Sequence, residues 1–165
     1  MDSLESSARE QEFARVYDAL GNTLYRLSYS LLLSREEAED AVQEVFLKYL
    51  RGHPPFSDDD HEKAWLLRVT VNQCRDLLRR RKHRHHLPLE ETAAFCADTG
   101  TGEVTRQLLL LPRLYQVPLL LHYYEGYSVE EIGSVLRLSA SAVKMRLKRG
   151  REKLREALSE EEEPE

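Results

Sequence analysis

Apolar residues in this 165-residue chain recur at spacings of three and four, without sustained alternation, so helices are predicted throughout and no sheet. The stretch "QEFARVYDAL" sets Phe13, Val16, Tyr17 and Leu20 on one stripe. Gly21-Asn22 is expected to break or bend that helix before "TLYRLSYSLLL" resumes it. Ser34 followed by Glu37 has the form of a capping box, and the next helix turns Ala38, Ala41, Val42, Val45, Phe46 and Tyr49 inward. The prolines and aspartates of "GHPPFSDDD" stop it near Gly52. A fourth helix is expected from about His61 to about His83, with Ala64, Leu67, Val71, Cys74 and Leu78 as its apolar stripe.

From Leu87 to about Thr105 the periodicity lapses, and Thr-Gly-Thr-Gly predicts a flexible turn. A second module is expected to begin near Arg106. Pro118 is expected in the first turn of a helix through Tyr124, or as a kink in it, and Gly126 ends that helix. Ser128 and Glu131 then form a capping box, with Val129, Ile132, Val135 and Leu136 on the buried side. Arg137-Leu138 is a short turn and Ser139 caps a longer helix, in which Val143, Leu147, Gly150, Leu154 and Leu158 face inward. The small Gly150 permits close helix approach. A short helix, a tight turn and a longer helix make a helix-turn-helix. The fold class expected is all-α: two small helical domains, residues 1–86 and 106–159, joined by a linker over 87–105 and followed by an acidic tail over 160–165.

Charge sharpens this division. The chain carries a net charge of −5, yet its cations are bunched. Met1 to Leu50 holds ten acidic and five basic residues. Between Lys63 and His86 eight bases face only Asp76, and between Arg137 and Arg155 eight bases face only Glu152. Two basic helices on an acidic chain point to two contacts with a polyanion. On the terminal helix, Ser141, Met145, Lys148 and Arg149 project away from the apolar stripe, with Lys144 and Arg151 at its margin; such a helix fits the major groove. On the middle helix, Trp65, Arg68, Asn72, Asp76, Arg79 and His83 form a second stripe. Stacking rings, an amide and arginines suit single-stranded nucleic acid. A core Trp65 with solvated arginines fits the spacing as well.

Other chemistries find little support. Cys74 and Cys96 lack ligand spacing and read as reduced thiols. The histidines His83, His85 and His86 read as a solvated basic tip, so no metal or cofactor is expected. There is no P-loop, Gly-x-Ser-x-Gly or nucleophile–base spacing, so an enzyme with a small-molecule substrate is not expected. No signal peptide or membrane-spanning run is visible, which places the chain in the cytoplasm.

Three segments carry a family resemblance. "EEAEDAVQEVFLKYL", "AWLLRVTVNQCRDLLRRRKHR" and "HYYEGYSVEEIGSVLRLSASAVKMRLKRGREKLRE" resemble, in order, segments of bacterial RNA polymerase sigma factors of the extracytoplasmic-function subgroup. The resemblance implies that the N-terminal module is sigma region two and the C-terminal module region four. It implies docking on the clamp helices of the largest subunit of core RNA polymerase through Glu39, Asp40, Gln43, Glu44 and Phe46. It implies recognition and opening of the −10 element by Trp65, Arg68, Asn72, Arg75, Asp76, Arg79 and Arg80, with a flipped base in a pocket closed by the preceding loop "GHPPFSDDD". It implies reading of the −35 element as duplex by Ser139, Ser141, Lys144, Met145, Arg146, Lys148 and Arg149. An anti-sigma factor is a further partner of the kind the family uses. Arg137 stands where the family's turn usually has Gly, Ser141-Ala142 replaces its usual Gly-Thr, and Gly150 replaces its usual Ala. A stand-alone helix-turn-helix regulator is the alternative from the residues alone.

Overall fold

A computed structural model describes residues 1–81, 92–94, 96–97, 100 and 102–162. The chain divides into two compact units, Met1–Leu77 and Leu78–Glu165, so the division falls within the helix that carries the middle basic stripe. All regular structure among the described residues is helical. None of their helices is long and apolar enough to cross a membrane. The histidine tip at His83, His85 and His86, the Thr-Gly-Thr-Gly turn in part, and the last residues of the acidic tail lie outside the described residues.

The first unit opens with α1 (Asp2–Leu32), which runs straight through Gly21-Asn22. The expected break there is absent. A single glycine costs a helix only about 1 kcal/mol relative to Ala. Here the buried stripe continues past it through Leu24, Leu27, Leu31 and Leu32, and the Tyr17 ring lies over the open backbone, 4.0 Å from where a Cβ would stand. Tyr17 itself is exposed, not inward as its place on the stripe implied. Leu33 ends α1 in the left-handed region, its N–H reaching the Tyr29 carbonyl at 2.8 Å.

In α2 (Arg35–Arg51), the Ser34 hydroxyl accepts from the Glu37 N–H at 3.3 Å. All six residues expected inward, Ala38 to Tyr49, are buried, and Gly52 caps the end. The third helix, α3 (Asp59–Arg81), starts before His61 because the Asp58 carboxylate caps it, accepting from the His61 N–H at 2.7 Å. Its buried face is wider than one stripe. Leu66 and Thr70 join Leu67, Val71, Cys74 and Leu78, and the Thr70 hydroxyl donates to the Leu66 carbonyl at 2.7 Å. Ala64, expected inward, is half-buried.

In the second unit, α4 (Glu103–Leu110) begins before Arg106, within the stretch expected to be linker. Pro112 separates it from α5 (Arg113–Leu119). Pro118 lies near the end of α5, not in a first turn; it brings no N–H to the ladder, and the chain then widens into a π-helical turn, Leu120–Tyr124. Gly126 follows at φ +73°. The helix-turn-helix consists of α6 (Val129–Leu136) and α7 (Ala140–Glu162). The acidic residues Glu160 to Glu162 continue α7, and Arg106 and Gln107 of α4 each donate to Glu161 at 2.6 Å. Gly150 lets α7 approach α5 as expected. A Cβ there would stand 2.9 Å from Leu119 Cδ1 and 3.2 Å from Tyr115 Cβ.

Candidate polymerase and nucleic-acid interfaces

The α2 face comes first. Glu39, Asp40 and Gln43 are exposed and Glu44 is half-buried, as an amphipathic helix dictates for positions off its stripe. Phe46 belongs to the other side. It is buried, with its ring centroid 5.6 Å from Phe13 and 5.2 Å from Tyr17 of α1. The five residues therefore do not form one flat patch. Phe46 helps line a groove between α1 and α2, together with Glu39 and Gln43. Tyr17, Leu47 and Leu50 line it too, about half exposed (53%, 45% and 55%). Sequence reasoning did not bring these three together. The available signal was Leu47 and Leu50, apolar residues three apart and off the inward stripe.

The second site lies where the loop after α2 meets the start of α3. Trp65 is half-buried at the edge of a cluster of rings, neither fully core nor fully exposed. Tyr49 and His53 stack at 4.4 Å, His53 and Phe56 at 4.6 Å, and Phe56 lies 5.8 Å from Trp65. The loop is tied to α3 by the Ser57 N–H, which donates to His61 Nδ1 at 3.1 Å. Beneath the rings, buried Glu62 joins three helices. Arg15 of α1 donates to one carboxylate oxygen at 2.8 Å, and the Tyr49 hydroxyl donates to the other at 3.1 Å. Burial, and then the Glu62 charge, pushes the Tyr49 hydroxyl up to about 12. Hydrogen bonds to Glu12 and then Glu62 hold Arg15 still more firmly protonated. Further along α3, Arg68 is half-buried, while Asn72, Arg75, Asp76, Arg79 and Arg80 are exposed. No local sequence signal marks Glu62 or the ring cluster.

The third site is the helix-turn-helix. Both halves of the α6 capping box form. The Glu131 carboxylate accepts from the Ser128 N–H at 2.7 Å, and the Ser128 hydroxyl accepts from the Glu131 N–H at 3.1 Å. Arg137 closes α6 in the left-handed region, φ 55° and ψ 50°, where a Cβ is disfavoured. The turn is tight. A Cβ on Gly133 would stand 2.7 Å from the Leu138 carbonyl oxygen. The Ser139 hydroxyl accepts from the Ala142 N–H at 3.1 Å, and Ile132, Val135, Val143 and Leu147 are buried. That burial leaves Ser139, Ser141, Lys144, Met145, Lys148 and Arg149 exposed, with Arg146 half-buried.

A cationic helix presented by a capped helix-turn-helix, with clustered rings at the start of a second basic helix, is the arrangement of a protein with two nucleic-acid-binding helices. Residues 16–84 match the family model of sigma-70 region 2, and residues 101–154 that of sigma-70 region 4. The chain is 29% identical to the ECF RNA polymerase sigma factor SigW of Bacillus subtilis, over 90% of each chain. It is 33% identical to the ECF sigma factor SigM of Mycobacterium tuberculosis, over 79% of this chain and 69% of that one. Among solved structures it resembles CnrH in complex with the cytosolic domain of CnrY, with a TM-score of 0.69 and 26% identity over 98% of this chain and 96% of that one. Its fold also matches the sigma factor RpoE in complex with the anti-sigma factor NepR from Bartonella quintana, with a TM-score of 0.66 and 19% identity over 90% of this chain and 98% of that one. The chain belongs to the ECF RNA polymerase sigma factors: it directs RNA polymerase to promoters, and the chemistry of RNA synthesis is the polymerase's, not its own.

Proposed function

We propose a division of labour at the level of residues. The N-terminal module, residues 1–86, docks on the clamp helices of the largest polymerase subunit and opens the −10 element; residues 87–105 link it to a module over 106–159 that reads the −35 element as duplex. Docking uses the exposed polar residues Glu39, Asp40 and Gln43, with Glu44, at the edge of the groove that Phe46 lines. The exposed Tyr17, Leu47 and Leu50 supply the apolar area that a polar face alone lacks. The non-template strand runs along Trp65, Arg68, Asn72, Arg75, Asp76, Arg79 and Arg80, and one unpaired base leaves the stack for the ring cluster beside Trp65. The duplex meets Ser139, Ser141, Lys144, Met145, Arg146, Lys148 and Arg149. The chain works in the cytoplasm. An anti-sigma factor is a further partner; the RpoE of similar fold is in complex with the anti-sigma factor NepR.

One observation carries most of this reading: aromatic rings gathered at the start of α3 with exposed arginines following them on the same helix. The test is transcription from a candidate promoter by core polymerase with and without the protein. Asp40→Ala with Gln43→Ala abolishes the dependence by preventing docking. Arg79→Ala with Arg80→Ala leaves holoenzyme assembly intact and impairs opening. Normal opening by the arginine variant would refute the α3 assignment.

A further inference from the structure

The loop between α2 and α3 contains an arrangement that its polar composition did not foreshadow. His53 precedes Pro54 and Pro55, and an X-Pro-Pro segment is extended and short of donors, so it cannot continue either helix. Instead it lays the His53 imidazole on the rings of Tyr49 and Phe56. The planes are close to parallel, 22° from Tyr49 and 11° from Phe56, and Tyr49 and Phe56 are themselves 11° apart with centroids 6.5 Å from each other. Trp65 stands edge-on, 6.2 Å from the His53 ring.

The three stacked rings are not held equally. Tyr49 is buried and its hydroxyl is fixed by Glu62. Phe56 is half-buried and packs edge-on against His61 at 5.3 Å, in a loop pinned through Ser57 and Asp58. His53 is exposed. Among the described residues its ring makes a hydrogen bond only to the carbonyl of the adjacent Pro54, from Nδ1 at 2.9 Å. Rotating His53 outward gives up that local bond, which water replaces, together with its stacking on Tyr49 and Phe56 and its closeness to the Glu12 carboxylate. It leaves two fixed aromatic rings open to solvent next to Trp65 and one turn from Arg68.

We propose that His53 is a removable cover on the base-stacking site of the first module: in the free protein its imidazole holds the place on Tyr49 and Phe56 that an unpaired promoter base takes. This rests on the reading of α3 as the strand-engaging helix and adds a residue to it. An imidazole is a planar heteroaromatic about the size of the smaller ring of a purine, so it shields the same rings. A base stacks there with more area, and its phosphates meet the α3 arginines, which His53 cannot offer. The cover disfavours adventitious stacking of stray single strands, and it gives way when the tethered promoter strand arrives.

The experiment uses the holoenzyme and a single-stranded oligonucleotide with the non-template −10 sequence of a promoter it transcribes, carrying 2-aminopurine at each position in turn. One position should change fluorescence on stacking. His53→Ala should bind that oligonucleotide about three- to ten-fold more tightly than the wild type, the range expected for losing one competing ring stack. His53→Phe, a better-stacking cover, should bind it more weakly. The free His53→Ala protein should melt slightly lower, so affinity rises as stability falls, a combination that a merely structural histidine would not produce. Equal or weaker binding by His53→Ala, with a clear fluorescence change, would overturn the cover and leave the stacking reading standing. No fluorescence change at any position, while the holoenzyme still initiates, would overturn both.

Discussion

The helices α3 and α7 are both 23 residues long and both rich in cations, yet they begin differently. Rings crowd the first turns of α3: Trp65 at their edge, and Tyr49, His53 and Phe56 brought in from α2 and the loop. The first turn of α7 is small and smooth, Ser139 to Ala142, with Lys144, Met145, Lys148 and Arg149 exposed beyond it. Positive charge alone would make both helices general binders of polyanions. On the reading proposed above, the first turns separate them. Rings offer stacking to unpaired bases, while a narrow polar entry lets a helix reach base edges in an intact groove.

The largest effect is expected from removing the support under the α3 rings. Glu62→Ala leaves the buried Tyr49 hydroxyl and the Arg15 guanidinium without the carboxylate that joins them, and should cost about 2 kcal/mol of stability, read as a lower urea midpoint of the free protein. The same network predicts an alkaline limit. The folded Tyr49 hydroxyl titrates near 12, above the unfolded value of about 10. Its contribution is therefore complete below about pH 10 and is lost as the pH climbs through 12. Tyr49→Phe should flatten that decline. Nothing of this kind is expected at the start of α7.

A smaller effect separates the helices through salt. Lys148→Ala with Arg149→Ala should weaken −35 duplex binding and lower the slope of log affinity against log salt by roughly 2, about 0.9 for each phosphate that is no longer neutralised. Stacking of the −10 strand, measured on single-stranded oligonucleotide, should keep its affinity in that variant. The smallest expected effect is at the turn before α7. Arg137→Gly relieves a left-handed Arg and should stabilise the second unit by about 0.5–1 kcal/mol, the strain being partly offset by glycine's larger chain entropy. A melting temperature that stays level or falls would show that the Arg137 side chain stabilises the turn by more than its backbone strain.

Legibility in the sequence followed the range of the interactions. The α2 stripe, the Ser128–Glu131 box and the close packing at Gly150 are readable because each is a local pattern of spacing or size. Gly21 misleads because its own propensity says nothing of the leucines that bury the helix on its far side. Pro118 suggests an initiator or a kink, whereas α5 starts ahead of it and widens after it. Of the candidate polymerase contacts, Glu39 and Gln43 can be placed from helical spacing. The groove that Phe46, Tyr17, Leu47 and Leu50 line needs two helices together. Glu62 and Arg15 lie 47 residues apart, and nothing local marks them as partners. The stack of His53 on Tyr49 and Phe56 likewise depends on how two prolines turn the chain back.

The contrast between the two helices is tested most directly by footprinting the holoenzyme on one promoter, with permanganate reporting unpaired thymines at the −10 element and nuclease protection reporting the −35 duplex, for Trp65→Ala and for Lys148→Ala with Arg149→Ala. Trp65→Ala should keep the −35 protection and fall about ten-fold or more in permanganate reactivity, within the worth of one stacked base. The double variant should lose protection first and regain opening once the holoenzyme concentration is raised. Full permanganate reactivity in Trp65→Ala, or the same pattern of loss in both variants, would contradict the assignment of one helix to single strand and the other to duplex.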